Sequence, residues 1–559
     1  MRAGALNAGQ RPRRAASAAL RRSSIPRPER GFAPASLRAA LLGALALAIG
    51  LPAAARPKLT IVIVSEQFRP DYFEKFRASF SAGGFRRLLD GGSVFRNCRY
   101  EYAATFPASG AAVLATGAYP ELSGIPAEHW YDRQKHQVVS AVEDASYFIV
   151  GSGQSRRPGA SPRKLLAGTI ADQLRLATAG RSRTVSISLR DQTAVLFGGA
   201  KPAGCYWMDD EGRFVTSSYY SDTLPAWAEA FNKAHPALRF RGQPWTAVGA
   251  PPSAPPLRVL APVDPINLQE FFAAFLASPF AVDEQFDFAQ EAIAAEKLGE
   301  GPSGDLLVLS VSSPFLLGLE TGAESPLVRD LIVRLDRRME EFFTWLDSRY
   351  GAGQVCVAFT ATQGLPDSPE SLDASGLHAE RISGEQVAAA VNSRLTALYG
   401  RPPRGLSSYI EKYVFPWLYL RPEVTELYPD AARLAGEAAM SVPGVAGYLV
   451  PNGRSSFLTR ETRQLLARCW SPGRAGDVLI AYQPYHFERF GNGRGVAPGS
   501  IYSYDTVVPL LFYGPAFQAE IFDAVVNPAD FAPTLAAALE IPPPSSANGQ
   551  VLAEALKER

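Results

Sequence analysis

Leu59-Thr60-Ile61-Val62-Ile63-Val64 is a run of apolar and β-branched residues that ends abruptly in the polar Ser65-Glu66-Gln67. A strand with one wet face alternates in polarity. An unbroken run marks burial on both faces, as in a parallel sheet covered by helices. Outward from it, a helical pattern starts at Pro70, and Gly83-Gly84-Phe85-Arg86-Arg87-Leu88-Leu89 opens another. Residues 108–116 are small and apolar, which suits a helix packed close to a sheet. Strands are predicted at 184–189, 306–311 and 355–360, the last two separated by a long amphipathic helix over 327–346. Strands alternating with helices predict an α/β, doubly wound, mostly parallel sheet.

Ligands of such sheets bind beyond the carboxyl ends of the strands. Chemistry is therefore sought in Ser65-Glu66-Gln67, the turn 105–110, Arg190-Asp191-Gln192, the stretch 312–319, Thr362-Gln363-Gly364 and the loop 494–500. Two stretches interrupt the alternation. Residues 202–256, rich in Trp, Tyr, Pro and Gly, read as loops or a small insertion. Residues 375–476 carry their own helices and short strands and read as a cap. The core thus spans 56–374 and resumes at 477–559 with Asp477-Val478-Leu479-Ile480-Ala481-Tyr482.

The composition is that of a globular protein, 47% hydrophobic and 20% charged, with a formal net charge of +2. Many of the arginines lie in the first stretch, so the remainder is near neutral or slightly acidic. No basic stripe points to nucleic acid. Residues 1–55 combine an arginine-rich leader, the apolar run 39–51 and Pro52-Ala53-Ala54-Ala55, the pattern of a secretory signal peptide. An uncleaved anchor is the alternative, although the run is short for a membrane span. The expected location is periplasmic or secreted, where disulfides are permitted. Cys98, Cys205, Cys356 and Cys469 allow three pairings. Cys356 lies in an apolar run and reads as a buried free thiol.

The strand ends also carry a resemblance. Ile63-Val64-Ser65-Glu66-Gln67-Phe68-Arg69-Pro70-Asp71-Tyr72, Ala115-Thr116-Gly117-Ala118-Tyr119-Pro120, His129-Trp130-Tyr131-Asp132-Arg133, Tyr504-Asp505-Thr506 and Phe531-Ala532-Pro533-Thr534-Leu535 follow in order with compatible spacing. Together they resemble the alkaline phosphatase superfamily. The segments look like its periplasmic, phosphate-irrepressible phosphatases, relatives of the nucleotide pyrophosphatase/phosphodiesterases.

That resemblance implies two zinc ions held by Asp and His, and a Thr that attacks phosphorus between them. Carried over position by position, the ligands fall on Glu66, Phe315, Leu319, Thr362, Gln363 and Pro498. The nucleophile falls on Pro107, with Thr105 close by. The phosphate-contacting Asn falls on Glu128, and the clamping Lys and Arg on Arg190 and Gln192. Phe, Leu and Pro have no lone pair for zinc, and neutral Thr and Gln are poor ligands. No bound cofactor is expected, although active members of the family use zinc.

The expected protein is a catalytically inactive member of the superfamily, a pseudoenzyme that binds or scaffolds an unidentified protein or cell-envelope partner. Phe315 and Leu319 should pack the cleft shut. Glu66 and Glu128 are expected to pair with Arg69 or Arg190 rather than act as an acid–base couple. The five histidines, His129, His136, His235, His378 and His486, read as dispersed surface or packing residues. Two alternatives stay open. One is a metal-dependent phosphomonoesterase or phosphodiesterase with a rearranged site. The other is an anion- or glycan-binding module that uses a helix start near Pro107 with Ser109, Gly110 and Arg190.

Overall fold

The strand that opens the sheet, β1 (Leu59–Ser65), is buried along its whole length. This is the environment its unbroken apolar run demands. The computed structural model describes residues 57–153, 157–260, 267–450, 459–489 and 495–558. The expected leader and signal peptide, 1–55, lie outside the described residues.

Ten further strands join β1 in the central sheet: β2 (Ser93–Arg99), β3 (Glu143–Val150), β4 (Pro158–Ala160), β5 (Thr184–Ser188), β6 (Gly204–Met208), β7 (Phe214–Ser217), β8 (Asp305–Val311), β9 (Val355–Ala361), β10 (Val507–Tyr513) and β11 (Glu520–Val526). Their order is β11-β2-β10-β9-β1-β8-β5-β6-β7-β3-β4. The block β9-β1-β8-β5-β6 is parallel, and antiparallel pairs flank it. The α/β class is as the alternation predicts.

Register is what positions the site. Ser65 lies opposite both Val311 and Ala361. The next residue of each strand, Glu66, Ser312 and Thr362, therefore emerges side by side at the carboxyl edge. The helix Pro107–Thr116 is buried at every residue. Its Ala, Gly and Ser residues allow it to lie close to the end of β9.

Two boundaries differ from the sequence reading. Within 202–256, β6 and β7 extend the central sheet instead of forming a separate insertion. The aromatic richness there has a packing cause. Tyr206, Phe214, Trp227 and Phe231 surround Phe288 with ring centroids 5.4, 3.9, 5.0 and 5.1 Å away. The strand Val478–Tyr482, expected to return to the core, instead lies between Trp417–Leu420 and Val445–Leu449 in a separate four-stranded sheet. Ile410–Val414 completes that sheet. An apolar run states that a strand is sandwiched; it does not state in which sheet. Val387, Val391, Leu395, Leu418 and Ile480 form a hydrophobic cluster of this region's own.

A short parallel pair, Glu380–Ile382 with His486–Glu488, joins distant parts of the chain. Cys98, Cys205, Cys356 and Cys469 are all buried and free, so none of the three pairings forms. Among the described residues, no helix is long and apolar enough to cross a membrane.

Candidate functional site

At the carboxyl edge, the Glu66 amide continues the ladder by donating to the Val311 carbonyl at 3.0 Å. Its side chain is 0% exposed, so the carboxylate must find its partners inside the protein. One oxygen, Oε1, accepts from the Ser312 and Thr193 hydroxyls at 2.5 and 2.6 Å. The other, Oε2, accepts from Arg190 Nη1 at 2.8 Å. Ser188 lies 2.8 Å from Thr193 and 3.1 Å from Ser312. Those two hydroxyls have given their single protons to Glu66, so Ser188 donates its own proton to one of them, with Thr193 the nearer.

Arg190 closes the arrangement. Its Nη2 donates to Glu128 Oε1 at 2.7 Å, and its Cζ lies 4.8 Å from the centre of the Phe315 ring. Burial works against the guanidinium charge, but Glu128 and Glu66 more than offset it and hold the pKa above the ordinary arginine value. A planar fork with a carboxylate on each of two nitrogens and an aromatic face below is a geometry that lysine cannot reproduce. The carboxylate pairing expected for Glu66 and Glu128 is thus with Arg190. Arg69 is held elsewhere by Asp71 and Asp367, at 2.7 and 2.8 Å.

The remaining ligand positions offer no metal shell. Thr362 donates its hydroxyl to the Glu66 carbonyl at 2.5 Å. Phe315 is buried beneath Arg190, and Leu319 is half-buried. The backbone carbonyl of Leu319 accepts from Val496 at 3.0 Å, which draws in the loop that carries the buried Pro498. The side-chain amides of Gln363 and of neighbouring Gln67 are buried without a hydrogen-bond partner among the described residues. Neutral amides, a hydroxyl already donating and a carboxylate neutralised by guanidinium do not fit a pair of zinc ions.

At the nucleophile turn, Pro107 is the first residue of its helix, and the Thr105 hydroxyl is buried without a partner among the described residues. The residues expected at an anion site hold partners within the protein. Arg190 is occupied by two carboxylates. Ser109 Oγ turns back to its own helix start, accepting from the Phe106 amide at 3.1 Å. A Cβ on Gly110 would come within 2.3 Å of the Thr362 carbonyl, so this glycine packs directly against the end of β9. Among the described residues, the Gln192 side chain donates only to Ser140, at 3.4 Å. Because the atom opposite Gly110 is backbone, Gly110→Ala should cost about 1–3 kcal/mol of stability. A thermal midpoint equal to that of the unmodified chain would reveal room between helix and strand end that the geometry denies.

Sequence reasoning missed the hydroxyl cluster and Asp505. Ser188 ends β5, Ser312 follows β8, and Thr193 sits on the helix Asp191–Gly198. Polar residues just beyond parallel strand ends were the available signal. Asp505, fully buried, accepts from the Ser500 amide at 2.9 Å and so anchors the loop that carries Pro498.

The fold and the site can be set beside known proteins. The model of the type I phosphodiesterase / nucleotide pyrophosphatase family matches residues 60–426. Alkaline phosphatase PhoV of Synechococcus elongatus is 29% identical over 526 residues, which cover 90% of this chain and 94% of PhoV. Alkaline phosphatase PafA of Elizabethkingia meningoseptica is 27% identical over 525 residues, covering 90% and 95%. The crystal structure of wild-type PafA aligns with a TM-score of 0.81 at 26% identity, covering 90% of this chain and 99% of that one.

Proposed function

The chain belongs to the type I phosphodiesterase / nucleotide pyrophosphatase family, and from that premise we propose that it is a non-catalytic member that binds or scaffolds a partner in the cell envelope. The observation that carries this reading is the Glu66–Arg190–Glu128 clamp. Of the positions that the resemblance assigns to metal ligands, Glu66 is tied to a guanidinium and Phe315 lies beneath it; that guanidinium, Arg190, and its other partner, Glu128, stand at positions assigned to phosphate contact.

A divalent ion beside that guanidinium would meet a like charge a few ångströms away. Removing the arginine from Glu66 would break a buried ion pair, which costs several kcal/mol. Loss of a hydroxyl at Pro107 adds a second, independent obstacle. The family relation describes the scaffold; the chemistry depends on the side chains at the strand ends. The envelope location rests on the composition of the leader.

The test is turnover. Purified protein supplied with zinc, 4-nitrophenyl phosphate or bis(4-nitrophenyl) phosphate at alkaline pH should release nitrophenol no faster than buffer. A kcat near about 1 s⁻¹ or above, within the ordinary enzymatic range, that vanished in Glu66→Ala would overturn the proposal in favour of a rearranged hydrolase.

A further inference from the structure

The parallel pair Glu380–Ile382 with His486–Glu488 places Glu380 directly opposite His486. Register partners in a parallel pair project to the same side, and so does a residue two positions earlier in an extended chain. His378 is that residue. The pairing thus collects two of the five histidines and one carboxylate, far apart in sequence, at one place. One donor atom from each lies within 4.8 Å of the other two. The imidazole centroids are 5.7 Å apart, and His378 Nε2 lies 3.8 Å from Glu380 Oε1. The expectation that all five histidines are dispersed is corrected here.

We propose that His378, Glu380 and His486 form a binding site for a borderline divalent cation, with zinc(II) the best match. Two imidazoles and one carboxylate are a three-ligand set that leaves a coordination position for water. Oxygen-seeking magnesium and calcium do not favour imidazole nitrogen.

His486 is the fixed member. It is 7% exposed, and its Nδ1 lies 2.9 Å from the Pro484 carbonyl. A carbonyl only accepts, so that bond places the proton on Nδ1 and leaves Nε2 with a free lone pair. Metal-binding histidines are commonly oriented in this way. His378 and Glu380 are exposed, with side-chain exposures of 74% and 51%. Small rotations can therefore bring their donors to coordinating distance at little cost. Among the described residues, no lysine or arginine forms an ion pair with Glu380.

A second cluster, His235 with Glu284 and Asp287, shows the contrast. Arg239 pairs with Glu284 and Arg338 with Asp287, so fixed cations already hold both carboxylates.

The full chain, produced without a polyhistidine tag and stripped with chelator, would be titrated calorimetrically with zinc(II), magnesium(II) and calcium(II). The expected result is one equivalent of zinc bound with micromolar or tighter affinity, and no heat from the other two ions. His378→Ala, at an exposed position that does not threaten the fold, should weaken zinc binding at least about tenfold. His235→Ala should leave it unchanged. A cobalt(II)-substituted sample should show a visible absorption band that His378→Ala diminishes. Absence of saturable zinc binding, or undiminished binding by His378→Ala, would overturn the proposal. Neither result bears on phosphate ester turnover, which the nitrophenyl assays read separately.

Discussion

Arg190→Met should lower the stability of the protein by about 3–5 kcal/mol, read as a fall in the urea unfolding midpoint. The methionine keeps a long apolar stem over Phe315 and removes only the charged fork. Glu66 is then a fully buried carboxylate with hydroxyl donors but no ion-pair partner among the described residues. The cost comes from that stranded charge, not from lost packing. It follows that Glu66→Gln combined with Arg190→Met should recover much of the loss. A neutral amide oxygen still accepts from Ser312 and Thr193, and the two charges leave together. Their coupling should reach about 1–3 kcal/mol. Glu128, whose side chain is 19% exposed, is partly hydrated. Glu128→Gln should therefore cost less than loss of the arginine, about 1 kcal/mol or below. An Arg190→Met protein that unfolds within about 0.5 kcal/mol of the unmodified chain would contradict the view that this cation holds the strand ends together.

The parts legible in the sequence were those written into single segments. β1, β8 and β9 announce themselves because burial on both faces forces an unbroken apolar run. That Phe315, Leu319 and Pro498 offer no side-chain lone pair was readable because it is a property of the side chain alone. The guanidinium clamp was half legible. Glu66 had two arginines to choose between, and the choice depends on Asp71 and Asp367 having claimed Arg69. The hydroxyl trio was not legible, because Ser188, Thr193 and Ser312 meet only through the register of β5 and β8. For the same reason, His378 and His486 read as dispersed. A parallel pair between short, distant strands leaves no periodicity in the chain. The strand Val478–Tyr482 was assigned to the wrong sheet because its neighbours, unlike its burial, are not encoded in its own residues.

Asp505→Asn should change stability with a sign and size set by pH. Asp505 is 0% exposed. Burial pushes its carboxyl pKa up to about 7, against the opposing hydrogen bonds from Ser500 and the Gly499 amide. In the unfolded chain the same group titrates near about 3.9. Between those values the folded protein holds a proton that the unfolded chain has released. Stability from this group is therefore complete below about pH 4 and is lost progressively as pH rises through about 7. A gap of roughly three pKa units corresponds to about 4 kcal/mol at most. Asparagine keeps an acceptor for the Ser500 amide and cannot ionise. Its variant should match the unmodified protein to within about 1 kcal/mol near pH 4.5 and exceed it by about 2–4 kcal/mol near pH 8.5. Urea midpoints at the two pH values measure the difference, and parallel pH dependence in both proteins would refute it. Because Asp505 anchors Ser500, the loop that carries Pro498 is the segment such ionisation loosens first. Amide exchange at residues 495–500 should accelerate with rising pH beyond its intrinsic base catalysis in the unmodified chain, and not in the asparagine variant.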